Sequence, residues 1–226
     1  MAMAPQARRA GRPRSAVLGR ARITAAARRI IEARGYPALT MSALARSLGV
    51  SPSALYNHAA SKQQLLQWIQ EDVMAGVDSS GFGRLPLDDA LRLWATSYRD
   101  VFARHAPLVP VIAVLPVAGS PRTLRMYEDV AAGFLGAGWA EEDVAAAIIA
   151  TESFIFGSAL DATAPLDIFD AGEHAARFPA FSGAVARQRA SGMPSAEAAF
   201  GLGLEALIAG LMTRGPGGPA ASRSSS

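Results

Sequence analysis

The chain contains no cysteine in 226 residues. That excludes disulfides, thiol nucleophiles and cysteine-ligated zinc or iron–sulfur centres, and it fits a reducing compartment such as the cytoplasm. Histidine is scarce too. His58, His105 and His174 stand far apart, with no spacing that would hold a metal. No phosphate-binding glycine loop and no nucleophile motif is present, so the residues point away from an enzyme and require neither cofactor nor metal. The arginine-rich N-terminus carries no apolar run of signal-peptide length, and no stretch reaches the ~18 apolar residues that would span a bilayer. A soluble, cytoplasmic protein with no membrane partner is expected. Strand-like alternation and internal repeats are also lacking.

Acidic residues are nearly absent from the first part of the chain. Within residues 1–62, Glu32 alone faces eleven Arg and Lys side chains, a net charge of +10. The remainder holds eleven basic and eighteen acidic residues, a net charge of −7. This asymmetry predicts a polyanionic partner for the first part only. Arg8, Arg9, Arg12 and Arg14 lie in a stretch rich in Ala, Pro and Gly that reads as a disordered arm. Such an arm is either a solvated tail or a nonspecific tracker of phosphates, and the second role predicts a steep salt dependence.

Residues 40–62, TMSALARSLGVSPSALYNHAASK, meet several requirements of a helix-turn-helix in register. Ala45 is small where two helices must cross, and Gly49 falls where the turn needs φ > 0. Leu44, Leu48, Val50 and Leu55 supply the shared core, leaving Ser42, Arg46, Ser53 and Asn57 outward. Thr40, Ser51 and Ser61 each stand where an N-cap is needed, and Pro52 takes a first helical position. The second helix of such a unit can enter the major groove of DNA.

Around this motif the patterns are helical. A first helix is expected from near residues 15–18 to Arg34, with Ile23, Ala26, Ala27, Ile30 and Ile31 at helical spacing. Further helices are expected over 61–77, 87–104, 107–115, 121–135, 141–160 and 195–212. Residues 78–86, with Gly81 and Gly83, read as a linker, and 165–194 as a long loop with a helical turn around 181–189. The fold class is therefore all-α: a three-helix DNA-binding domain followed by a larger helical bundle. The expected divisions are a disordered basic arm (1–15), the helix-turn-helix domain (16–62), a connecting helix and linker (63–83), a regulatory domain (84–213) and a disordered tail (214–226).

Residues 20–66 resemble the DNA-binding domain of TetR-family transcriptional regulators. The resemblance is carried by Gly35, Leu39-Thr40, Ala45, Leu48-Gly49-Val50, Leu55-Tyr56, His58 and Ser61-Lys62-Gln63-Gln64-Leu65-Leu66. Ala59 departs from the bulky residue usual after that histidine and is expected to loosen the packing there. The rest is similar, more diffusely, to a tetracycline-repressor-like regulatory domain through Arg104-His105-Ala106-Pro107, Gly138-Trp139, Glu152-Ser153-Phe154, Phe178-Pro179 and Phe200-Gly201-Leu202-Gly203-Leu204.

The resemblance implies a homodimeric repressor released from a palindromic operator by a small-molecule effector. A DNA-binding scaffold or an activator without an effector is the alternative. Thr40, Tyr56, His58 and Lys62 match positions that grip the phosphate backbone. Ser53, Ala54 and Asn57 would face base edges, with Arg46 near the groove edge and Ser51 beside it. Tyr56 is equally suited to packing in the bundle, and both roles are expected of it. Dimerisation is implied through 141–160 and 195–212. In the second of these, Phe200, Leu204, Leu207, Ile208 and Leu211 form one stripe that sequence alone reads as intrachain core and the resemblance as interface. Trp94, Tyr98, Phe102, His105, Met126, Trp139, Phe154 and Phe156 are candidate lining of an effector pocket. Glu152 and Ser158 are its polar candidates, since polar groups on an apolar helix need partners if buried.

Overall fold

The computed structural model describes residues 18–215; the basic arm at 1–15 and the tail from 216 lie outside the described residues. Ten α-helices and four short 3-10 turns are found there, and no strand.

The N-terminal unit, the reading head expected from the sequence, is built from α1 (Arg20–Arg34), α2 (Met41–Leu48) and α3 (Pro52–Tyr56). Helix α1 starts later than its pattern suggests, because Gly19 is extended. Ile23, Ala26, Ala27 and Ile31 of α1 enclose one core with Leu44, Ala45, Leu48 and Leu55. Ala59 is also fully buried, which gives no sign of the expected looseness. Arg22 reaches across to donate to the Leu48 carbonyl at 3.2 Å, filling an acceptor that the end of α2 leaves open.

Helix α4 (Lys62–Met74) leads from the head into the larger bundle. That bundle comprises α5 (Leu87–Ala103), α6 (Val109–Ile112), α7 (Pro121–Gly136), α8 (Glu141–Asp161) and α10 (Ser195–Arg214). Helix α5 is its spine: Ala90, Leu91, Trp94, Ala95, Tyr98, Val101 and Phe102 are all buried. One continuous apolar core runs from the reading head through α4 into this bundle. The 78–86 segment is a turn, yet Phe82 folds back to meet the Trp94 ring edge-on at 6.0 Å.

Two salt bridges clasp α10 to α5. Arg92 holds Glu205 through two hydrogen bonds of 2.6 and 3.0 Å. Arg99, almost fully buried, holds Glu197 through 2.6 and 3.1 Å contacts and also binds Asp100 at 3.1 Å. These contacts aim Phe200, Leu204, Ile208 and Leu211 into the chain's own core. The apolar stripe of α10 is thus intrachain, and its outer face is made of Leu202, Ala206, Ala209, Gly210 and Thr213.

Two expectations are corrected. Residues 165–194 are not mainly loop: Pro179–Ala190 forms a twelve-residue helix, α9, preceded by a 3-10 segment at Gly172–Arg177. No residue of α9 is buried, so the segment lacks the apolar periodicity by which a helix is read from sequence. Helices α8 and α10 are each long and apolar enough to cross a membrane by length and composition. Averaged hydropathy tolerates the few polar residues that interrupt an unbroken apolar run, and in both helices the core side chains fill one face only.

Candidate DNA-reading surface and regulatory core

The helix-turn-helix is punctuated by three side-chain caps. Thr40 Oγ1 accepts from the Ala43 amide at 3.0 Å, Ser51 Oγ from Ala54 at 3.2 Å and Ser61 Oγ from Gln64 at 3.1 Å. The Gln64 side chain reaches back to accept from the Ala60 amide at 2.9 Å, a reciprocal arrangement that fixes the start of α4. Gly49 closes α2 at φ 70°, ψ 32°, and its amide returns to the Ala45 and Arg46 carbonyls. Backbone in that region suits glycine and turns the chain sharply into α3.

These local choices leave a polar surface. Thr40, Arg46, Ser51, Ser53, Tyr56, Asn57 and His58 are exposed and Ala54 is half-buried. Helix α3 is short, so Asn57 stands at its C-terminal end instead of within it. Tyr56 exposes half of its surface, which leaves its ring much freer than the packed position expected of it. Lys62 is half-buried, with Nζ 3.8 Å from the centre of the Tyr36 ring. A cation held over a ring face in this way is pre-positioned. Tyr36 is half-buried, and nothing in its spacing marks its contact with Lys62.

In the larger bundle the predicted pocket residues separate into groups. Trp94, Tyr98 and Phe102 follow one another turn by turn on α5 and are fully buried. The Tyr98 and Phe102 rings meet Phe156 of α8 at 5.5 and 5.1 Å. Above them, Glu152 Oε1 accepts from Tyr98 Oη at 2.6 Å and from Tyr127 Oη at 2.5 Å. Burial pushes both phenols well above their ordinary pKa, and the neighbouring carboxylate adds to the effect. Both therefore remain hydrogen-bond donors. Tyr127, on α7, completes this cluster and escaped sequence reading because only the tertiary fold brings α7 to α8.

Three predicted pocket residues lie elsewhere. Phe154 stacks on Phe200 at 5.7 Å, facing α10, because residues two apart on a helix point to nearly opposite sides. Trp139 packs edge-on to Phe134 at 5.0 Å, between α7 and α8. His105 Nδ1 lies 3.2 Å from Glu32 Oε1 and so joins the bundle to α1 of the reading head. Met126 and Ser158 are buried, but Ser158 falls on a different side of α8 from Glu152.

Further contacts join the two parts. Ser120 Oγ donates to Gln70 Oε1 at 2.7 Å in a fully buried pair. The Arg122 amide donates to Glu71 Oε1 at 2.8 Å. The first turn of α7, which carries Tyr127 further along, is thereby tied to α4, which carries Lys62 at its start. Neither Gln70 nor Ser120 is conspicuous in the sequence.

Comparison with known proteins agrees with this architecture. Residues 23–69 match the family profile described as bacterial regulatory proteins, tetR family, and residues 85–214 match that of the tetracyclin repressor-like C-terminal domain. An uncharacterized HTH-type transcriptional regulator of Mycobacterium tuberculosis is 31% identical over 134 residues, 53% of this chain and 61% of the relative. The matched region thus spans about three fifths of that curated relative. Among solved structures, ActR of Streptomyces coelicolor in complex with actinorhodin superposes with a TM-score of 0.72 at 23% identity, covering 89% of this chain and 99% of ActR. A possible TetR family transcriptional regulator from Streptomyces coelicolor A3(2) gives 0.70 at 26% identity, covering 85% and 98%. BioQ, also solved from Mycobacterium smegmatis, gives 0.62 at 23% identity when bound to its double-stranded DNA operator, covering 86% and 98%.

Proposed function

The chain belongs to the tetR family of bacterial regulatory proteins, and on that premise we propose that it is a homodimeric repressor released from a palindromic operator by a small-molecule effector. The division of labour follows the expected boundaries: residues 16–62 read DNA, 63–83 connect, and 84–213 sense and dimerise. As a regulator of operator DNA it works in the cytoplasm.

The observation that carries the reading is the set of exposed polar side chains from Thr40 through α3 to His58, with half-buried Lys62 beyond it, on a head that has its core and caps in place. Thr40, Tyr56, His58 and Lys62 are assigned to phosphates. Ser53, Ala54 and Asn57 are assigned to base edges, with Arg46 and Ser51 flanking them. BioQ bound to its operator supports a similar docking, and actinorhodin-bound ActR supports an effector. One head reads few base pairs, so two copies should sit about 34–36 Å apart along the duplex. The second copy would cover the outer face of α10, Leu202, Ala206, Ala209 and Gly210, together with Ala146, Ile149, Ala150, Ser153 and Gly157 of α8. Small side chains of this kind let helices approach closely, and Ile149 and Leu202 among them are large apolar side chains left exposed.

Helix α4 transmits the effector's state through the Ser120–Gln70 and Arg122–Glu71 bonds. An effector can release DNA only if it binds the two conformations unequally, and such coupling is typically ~1–3 kcal/mol. Mobility shift on an operator selected from random DNA tests the core of the reading. A Tyr56→Ala, Asn57→Ala, Lys62→Ala variant is expected to lose specific binding, and undiminished binding would sink the assignment.

A further inference from the structure

Glu152 is a half-buried carboxylate in the aromatic part of the regulatory bundle, and no cation balances it among the described residues. It lies on the second half of α8. Its two hydrogen bonds both fall on Oε1, from Tyr98 and Tyr127, and Oε2 receives no donor from the described residues. The surroundings are aromatic. Trp94 and Tyr98 are 5.8 Å apart, Tyr98 and Phe102 5.1 Å, and Phe102 and Phe156 5.1 Å between ring centres. Within this wall Trp94 Nε1 is buried without an acceptor. Tyr98 is fully buried while Tyr127 is only partly so, which makes the α7 side the accessible one.

From this arrangement we propose that the effector is an organic cation: a protonated amine or amidine carried on a flat ring system bearing a hydrogen-bond acceptor. Its N–H groups bind the Glu152 carboxylate, its rings lie against Tyr98, Phe102 and Phe156, and its acceptor meets the Trp94 N–H. The inference rests on the effector reading above and adds the chemical class. A half-buried carboxylate attracts a cation more than one in open water does, and ring faces add to the attraction. An anion would be repelled by Glu152, and a neutral ligand would leave its charge unpaired. The cluster is closed in this structure, with ring against ring. Occupancy therefore displaces Tyr127, and with it α7, whose first turn is bonded to α4 through Ser120 and Arg122. The bound conformation thus differs from the closed one at the helix that leads to the DNA contacts.

The test uses the full chain with three naphthalene probes of matched shape: naphthylmethylamine, naphthylmethanol and naphthoate. Calorimetry reads binding, and fluorescence anisotropy of labelled operator reads release. The amine is expected to bind more tightly than the alcohol by about tenfold or more, and naphthoate not at all. Glu152→Gln should abolish the preference for the amine. Tyr127→Phe, which keeps the ring and removes a competing donor, should retain it, so a poorly folded Glu152 variant does not leave the question open. Equal binding of amine and alcohol, or a preference unchanged in Glu152→Gln, overturns the cation assignment. Release of operator by alcohol or naphthoate alone also overturns it while leaving the effector reading standing. Failure of all three probes to bind or to release DNA counts against both.

Discussion

Substitution of Gly49 isolates the cost of a single backbone conformation. Its φ of 70° and ψ of 32° lie in the left-handed region, and a Cβ built there meets nothing within 4 Å. Sterics with the rest of the protein therefore contribute nothing, and only the local conformational penalty remains. For alanine that penalty is roughly 1–2 kcal/mol, offset in part by about 0.4–1 kcal/mol from a stiffer unfolded chain. The net loss expected for Gly49→Ala is about 1 kcal/mol, for Gly49→Asn about half of that, and for β-branched Gly49→Val about 2 kcal/mol. Gly133 provides the control with the opposite logic. Its Cβ would collide with the Phe82 ring at 2.4 Å, and its φ is not positive. There the order should follow size, with alanine best tolerated and asparagine and valine both worse. Urea unfolding at fixed protein concentration, followed by operator affinity, measures both series. A Gly49 series ordered by size, with asparagine tolerated no better than alanine, would refute the argument that the turn needs glycine for its backbone alone.

Three other outcomes follow from the same geometry. Ser120→Ala strands the buried Gln70 carbonyl, and the expected cost is about 1–3 kcal/mol in thermal unfolding, with weaker effector-driven release of operator in anisotropy titrations. The raised pKa values of Tyr98 and Tyr127 give stability a sign at alkaline pH: above the ordinary phenol value near 10.0 the unfolded chain loses protons that the folded chain keeps. Stability should be fully present below that pH and fall above it, and a Tyr98→Phe, Tyr127→Phe variant should flatten the decline in pH-dependent urea titrations. Ala206→Arg, on the outer face of α10, should yield a monomer by light scattering and reduce operator affinity without unfolding the chain; a dimeric variant would place the interface elsewhere.

What could be read from sequence was local. Three caps, the left-handed glycine and the frame of Leu44, Ala45 and Leu55 each follow from spacings of a few residues, and all recur in the fold. What could not be read depends on which side of a helix meets which neighbour. Phe154 and Phe156 look equivalent in sequence, yet one faces α10 and the other α5. The stripe on α10 was visible, but its partner was not, since an apolar face is the same sequence pattern whether it meets its own chain or a copy. Helix α9 lay beyond reach for the opposite reason: with nothing buried, it has no face to display.

The clasp between α5 and α10 has a consequence for ionic strength. Glu197 and Glu205 are both turned toward Arg99 and Arg92 within one chain, so the middle of the outer α10 face has no charge left to offer a partner. Association through it would be driven by apolar contact and hardly screened by salt. The reading head, in contrast, meets a polyanion, and each phosphate contact steepens its response to salt. If the subunits pair as proposed, the two associations should come apart in a salt titration: operator is shed first, and the pair of subunits survives intact, free to rebind when the salt is diluted.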